Sequence, residues 1–173
     1  MATEEIINRV AGSKLVTFNL EDYYPKGERV IFDISGWLLD GFVLRESQFR
    51  EEVKQHDWSQ YKDKFVALTC STDAIVPAWA YMLLATKLQP NAKKVVYGSL
   101  EELETILYTE IIQQMDLSAF KDKPVIIKGC SNKPVPKNAY LLLITKLQPI
   151  AKSIMYGEAC SSVPLFKQPK INP

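Results

Sequence analysis

The chain reads as an α/β protein, with a mainly parallel or mixed sheet and helices on both faces. Three observations predict this class. Short apolar runs rich in Val, Ile and Phe alternate with longer segments of helical periodicity, the pattern of strands joined by crossover helices. Prolines and Tyr-Gly pairs punctuate the alternation at matching places. The helix–strand–helix–strand sequence also occurs twice, over residues 45–98 and 104–157, with a period of 59 residues.

The elements follow in order. Residues 1–34 form an N-terminal arm and a strand pair. Residues 1–12 read as a short amphipathic helix or loose arm, and Leu15–Leu20 and Arg29–Ile34 read as strands. Tyr23-Tyr24-Pro25-Lys26-Gly27 makes the turn between them, and the pair is expected to add an antiparallel edge. Ser35–Gly41 connects to a polar-faced helix, Arg45–His56, that turns Phe49 and Val53 inward. The first repeat's strand is Phe65–Thr69, ending at Cys70-Ser71. A polar loop leads to Val76-Pro77, with Pro at the first helical turn where its missing N–H costs nothing. The helix Ala78–Gln89 ends before Pro90, and a strand then runs to Tyr97-Gly98.

Leu100–Met115 carries Leu103, Ile106, Leu107, Ile111 and Met115 at helical spacing and corresponds to Arg45–His56. Asp116–Lys123 matches Asp57–Lys64, and Val125–Lys128 is the second repeat's strand, followed by Cys130-Ser131. The helix Lys137–Gln148 and the strand to Tyr156-Gly157 complete it. Ala80–Gly98 and Ala139–Gly157 share 13 of 19 residues, where ordinary residue frequencies give roughly one or two by chance. Residues 161–173 hold three prolines and two lysines and read as an extended tail.

Bulk properties bound the function. A chain of 173 residues, 47% hydrophobic and 24% charged, suits a single domain spanning residues 1–173 with a full core. A net charge of +1 without basic or acidic blocks speaks against nucleic acid as partner. The acidic start, Met1-Ala2-Thr3-Glu4-Glu5, is unlike a signal peptide, and no apolar run reaches the ~18 residues of a membrane span. A cytoplasmic location is expected. Three cysteines, an odd number, argue against a secreted disulfide framework.

Chemistry is expected at the carboxyl ends of the strands, where open parallel sheets bind ligands. Cys70 and Cys130 stand there, each ahead of a helix N-terminus that lowers a thiol's pKa. Cys160 follows the last strand on the same expected edge. One reading is a three-thiolate site for zinc or iron, completed by His56, Asp73 or water. The other is that these are buried filler, since no C-x-x-C pair is present and cysteine is among the most buried residues. Ser71, Thr72, Asp73, Ser131 and Asn132 are candidate ligand-binding residues, or helix caps and turn formers. Lys87 and Lys146 offset helix dipoles, Tyr81 and Tyr140 pack in the core, and His56 ends a helix as cap or dipole partner.

Two resemblances follow from these residues. A strand, Cys, a six-residue loop and an Ala/Leu-rich helix resemble the active-site unit of rhodanese-like sulfurtransferases. That implies a persulfide carrier at Cys70 or Cys130, although Ile75 and Val135 stand where a basic residue closes that loop. Phe18-Asn19-Leu20-Glu21-Asp22-Tyr23-Tyr24, His56-Asp57-Trp58-Ser59-Gln60-Tyr61, Cys70-Ser71-Thr72-Asp73 and Ala151–Glu158 resemble the bacterial family called domain of unknown function 2480. That resemblance covers nearly the whole chain. It implies an accessory role beside the iron–sulfur assembly machinery and assigns no catalytic residue. A non-catalytic interaction module with structural cysteines remains the third reading.

Overall fold

The computed structural model describes residues 15–129, 132–158 and 160–169. The fold is α/β, as expected, and its strands form two sheets. In chain order the elements are β1 (Val16–Phe18), β2 (Arg29–Asp33), α1 (Glu46–Gln55), β3 (Phe65–Thr69), α2 (Ala78–Leu88), β4 (Lys94–Tyr97), α3 (Leu100–Gln114), β5 (Pro124–Ile127), α4 (Lys137–Leu147), β6 (Ser153–Glu158) and β7 (Ser161–Lys167). The chain divides into two compact units, residues 25–107 and residues 1–24 with 108–173. The 1–12 helix or arm lies outside the described residues. No helix among those described is long and apolar enough to cross a membrane.

The unit of residues 25–107 is built on the parallel sheet β2-β3-β4. Strand β3 alternates its side chains between two apolar faces, as a fully covered strand does. Val66 and Leu68 pack with Phe32 and Ile34, with Phe49 and Val53 of α1, and with Ala80, Leu84 and Leu88 of α2. Phe65 and Ala67 pack with Val96 and with Leu103 and Leu107 of α3. The i, i+4 spacing of each helical set turns one stripe of each helix to the sheet. Helix α3 is pinned to β2 by a buried ion pair. Arg29 Nε donates to Glu104 Oε1 at 2.6 Å and Nη2 to Oε2 at 3.3 Å. The guanidinium also donates to the carbonyls of Pro25 and Gly27 and lies 4.8 Å from the Phe65 ring centre.

The other unit carries the sheet β1-β5-β6-β7. Its core joins Phe18, Leu20, Val125, Ile127 and Ile154 to Tyr108 and Ile112 of α3 and to Ala139, Leu143 and Leu147 of α4. Tyr108 Oη donates to the Leu20 carbonyl at 3.1 Å, so the phenol is satisfied inside this core.

The N-terminal strands depart from the expected antiparallel edge. They do not pair with each other: β1 lies parallel to β5 and β2 parallel to β3. In both cases Phe opposes the equivalent residue of the repeat strand, Phe18 with Ile127 and Phe32 with Leu68. Each then runs into a 3-10 turn, Leu20–Tyr23 or Ile34–Trp37, whose first N–H groups are capped by Asn19 or Asp33. Residues 16–23 and 30–37 read Val-Thr-Phe-Asn-Leu-Glu-Asp-Tyr and Val-Ile-Phe-Asp-Ile-Ser-Gly-Trp. This similarity explains why both strands make the same choice of partner. The antiparallel edge is β7, which pairs with β6 through a register shift at Ile154/Met155. Pro164 lies within β7, a position that an edge strand tolerates.

Helix ends show a second departure. Lys146 does not serve the end of its own helix; its Nζ donates to the carbonyls of Ile112, Gln113 and Met115 at the end of α3. At the equivalent end of α1, the Val53 carbonyl accepts from Trp58 Nε1 at 3.0 Å. Leu117, in the Trp58 position, has no donor, and the lysine takes over the task.

Candidate functional site

In the unit 25–107, Asp33, Cys70, Ser71 and Tyr97 stand at the carboxyl ends of β2, β3 and β4. Asp33 ends β2, Cys70 follows β3 and Tyr97 ends β4. Parallel strands place these ends side by side. The loops are tied together at this edge. Asp33 Oδ1 accepts from the backbone N–H groups of Ser35 at 2.9 Å and Ser71 at 3.1 Å. Ser71 Oγ donates to Ser35 Oγ at 3.1 Å. Thr72 Oγ1 donates to the Gly41 carbonyl at 2.6 Å. The half-buried Cys70 thiol donates to the Thr72 carbonyl at 3.6 Å and lies 3.4 Å from Thr72 Oγ1.

Electrostatics follow from this geometry. Burial works to raise the Asp33 carboxyl, but the hydrogen bonds from Ser71 and Ser35 outweigh it and hold the group below its ordinary value. It is an anion at neutral pH. Burial, then the neighbouring Tyr97, Cys70 and Asp33, push the Tyr81 phenol up to about 12. The rings of Tyr81 and Tyr97 meet edge to face, 4.9 Å between centres. Residues 33–44 and 69–78 contain Asp33, Asp40 and Asp73 and no Lys or Arg; Arg45 is the first Lys or Arg after Asp33. The edge therefore offers one thiol, an ionised carboxylate, hydroxyls and two phenols.

The expected site residues distribute as follows. Cys70, Ser71 and Thr72 come together, and Asp73 is exposed on the same loop. Ser71 and Thr72 spend their polar groups inside the chain, on Asp33, Ser35 and Gly41. Cys130 and Ser131 lie outside the described residues. Asn132, in the other unit, donates its backbone N–H to Glu21 Oε2 at 3.2 Å. Cys160 is exposed between β6 and β7.

The equivalence of Cys70 and Cys130 does not hold in register. Leu68 pairs with Tyr97 and Ile127 with Tyr156. The 59-residue offset therefore places Gly129 at the Cys70 position. Space accounts for the glycine. A Cβ on Gly129 would lie 3.0 Å from Cζ of Tyr156, whose Oη donates to the Gly129 carbonyl at 3.3 Å.

His56, proposed from the sequence as a further ligand, is part of an aromatic cluster. Its ring centre lies 5.5 Å from Phe32, 5.2 Å from Trp37, 4.7 Å from Trp58 and 5.7 Å from Tyr61. Its Nε2 is 3.0 Å from Tyr61 Oη and 3.1 Å from Gln60 Nε2. That amide also donates to the Asp57 carbonyl at 2.7 Å, which fixes its orientation and makes His56 Nε2 an acceptor. Burial holds the imidazole below its ordinary value against the opposing pull of Asp57 and Glu52. Among the described residues, no three His, Cys, Asp or Glu side chains are grouped to hold a metal ion.

Asp33, Ser35 and Tyr97 were not marked by the sequence reading, and Tyr81 was read as core. The Phe-Asx-aliphatic pattern at 18–20 and 32–34 is the signal that leads to Asp33. No curated protein and no solved structure matches the chain. A family model described as "Protein of unknown function (DUF2480)" matches residues 4–168, and the chain belongs to that family.

Proposed function

We propose that this DUF2480 protein is an accessory protein that takes a thiophilic metal ion, zinc or iron, at the carboxyl edge of β2-β3-β4. Cys70 supplies the thiolate, and Asp33 supplies a carboxylate from the neighbouring strand end. The observation that carries this reading is that the Cys70 thiol and the ionised Asp33 carboxylate both act on Tyr81 at this edge, in loops that hold no Lys or Arg. Such an edge favours a positive ligand, whereas a persulfide carrier is served by positive potential. The metal reading is therefore better supported than persulfide transfer. Two donors hold an ion loosely and leave coordination positions open, which suits receipt and delivery more than storage. Cys130 and Cys160, the other thiols of the expected ligand set, belong to the other unit.

Anaerobic titration with cobalt(II) tests the proposal. A thiolate-to-cobalt absorption band is expected in the wild type, lost in Cys70→Ser and weakened in Asp33→Asn. Absence of the band, or its persistence in Cys70→Ser, refutes the assignment. Cys130→Ser and Cys160→Ser report whether either thiol joins the set.

A second reading has its own observation. The Cys70 thiol already donates to the Thr72 carbonyl, and Thr72 is tied to Gly41. In an interaction module this is a structural loop tie. It predicts that Cys70→Ser changes neither metal content nor any partner binding.

A further inference from the structure

We infer that the loops around Cys70 form a docking rim for a protein segment that alternates apolar and basic side chains. This goes beyond the metal reading and does not depend on it. The rim has two loops. Thr72 Oγ1 donates to the Gly41 carbonyl at 2.6 Å, and the place of a Gly41 Cβ is 3.7 Å from Thr72 Cγ2. The turn of residues 38–43 is thereby fixed against the loop that follows β3. A bridge between Leu39 and Val43 closes that turn, with Asp40 and Gly41 at positive φ.

These loops present large apolar side chains to solvent. Ile75 is 94% exposed, Phe42 58% and Val43 53%. Single exposed apolar residues are ordinary, but several on loops locked to one another are a recognition feature. The same loops carry Asp33, Asp40 and Asp73 and no Lys or Arg. Charge complementarity chooses the occupant. Isologous pairing of two copies through this rim would oppose like charges. A partner presenting leucine-like side chains flanked by lysine or arginine meets both features, the apolar tips and the carboxylates.

Fluorescence anisotropy with metal-free protein and three short labelled peptides tests this. One peptide alternates leucine with lysine, one alternates serine with lysine, and one alternates leucine with glutamate. The leucine–lysine peptide is expected to bind at least about tenfold tighter than either other. Ile75→Ser with Phe42→Ser should remove that preference, and Asp40→Asn with Asp73→Asn should weaken binding and flatten its salt dependence. Equal binding of both lysine peptides would overturn the proposal, as would unchanged binding by the double variants. Sedimentation showing that wild-type protein self-associates through Phe42 and Ile75 would equally overturn it. Because no metal is present, this outcome is independent of the cobalt titration.

Discussion

The Arg29–Glu104 pair permits the most quantitative test of how the unit of residues 25–107 is held together. The side chains are 11% and 6% exposed. The guanidinium makes two bonds to the carboxylate and two to the carbonyls of Pro25 and Gly27, and it stacks on Phe65. Arg29→Met removes the guanidinium from the buried Glu104 carboxylate and from the carbonyls of Pro25 and Gly27. Loss of a partner from a buried pair costs about 3–5 kcal/mol, and the lost cation–π contact adds about 0.5–1 kcal/mol. Glu104→Gln keeps one acceptor and the two carbonyls, so its cost falls at the lower end, about 3 kcal/mol. The double variant Arg29→Met/Glu104→Leu removes both charges and should be less destabilised than Arg29→Met alone. All three tryptophans, Trp37, Trp58 and Trp79, lie within residues 25–107. Urea unfolding followed by tryptophan fluorescence therefore reports on the unit that holds the pair. Losses under about 1 kcal/mol for the single variants, of the size of a surface pair, would refute the reasoning. A double variant worse than the sum of the singles would do the same.

Three further outcomes follow from the structure. His56 has a folded pKa lowered by burial, so the unfolded chain takes up the proton first. Stability is then fully present above about pH 6.5 and falls as the pH drops toward the folded value; His56→Gln should remove this slope from urea midpoints measured between neutral and mildly acid pH. Lys146→Met removes a charged donor from three carbonyls at the end of α3, of which Ile112 keeps the Met115 N–H at 3.3 Å, and should cost about 1–2 kcal/mol, read as faster amide hydrogen exchange in the last turn of α3. Gly129→Cys restores the residue found at Cys70 but drives its Cβ against Tyr156. Tyr156 is 37% exposed and its ring can yield, so the cost should be about 1 kcal/mol, the low end of overpacking, and Gly129→Cys/Tyr156→Ala should recover part of that loss in thermal unfolding.

Much of the fold was legible because it is local. Helical spacing in Leu103, Leu107 and Ile111, the prolines after each repeat helix, and the Val- and Ile-rich runs all act over a few residues. Strand partnership is not local. Nothing in Val16–Phe18 states that it pairs with Val125–Ile127, over a hundred residues away, and its nearest strand in sequence was the natural but wrong choice. β7 was hidden by Pro164, whose composition cue is that of a tail while its position at a sheet edge is permissible.

The site was legible in part. Strand ends preceding helices pointed to Cys70, and it is there that Asp33, Ser35, Ser71 and Thr72 gather. The visible Cys-Ser pairs suggested two equivalent thiols, but pairing counts residues from the strand, and one residue separates Gly129 from Cys130. Asp33 was missed because a carboxylate after a hydrophobic strand is an ordinary cap. Only the register of β2 against β3 brings it to Ser71.

Zinc K-edge X-ray absorption on the zinc-loaded chain reads the coordination at Cys70 itself. A sulfur neighbour at about 2.3 Å together with oxygen neighbours is expected, and that sulfur should be lost in Cys70→Ser. A coordination shell of light atoms alone in the wild type, or an unchanged sulfur shell in Cys70→Ser, would contradict the metal reading.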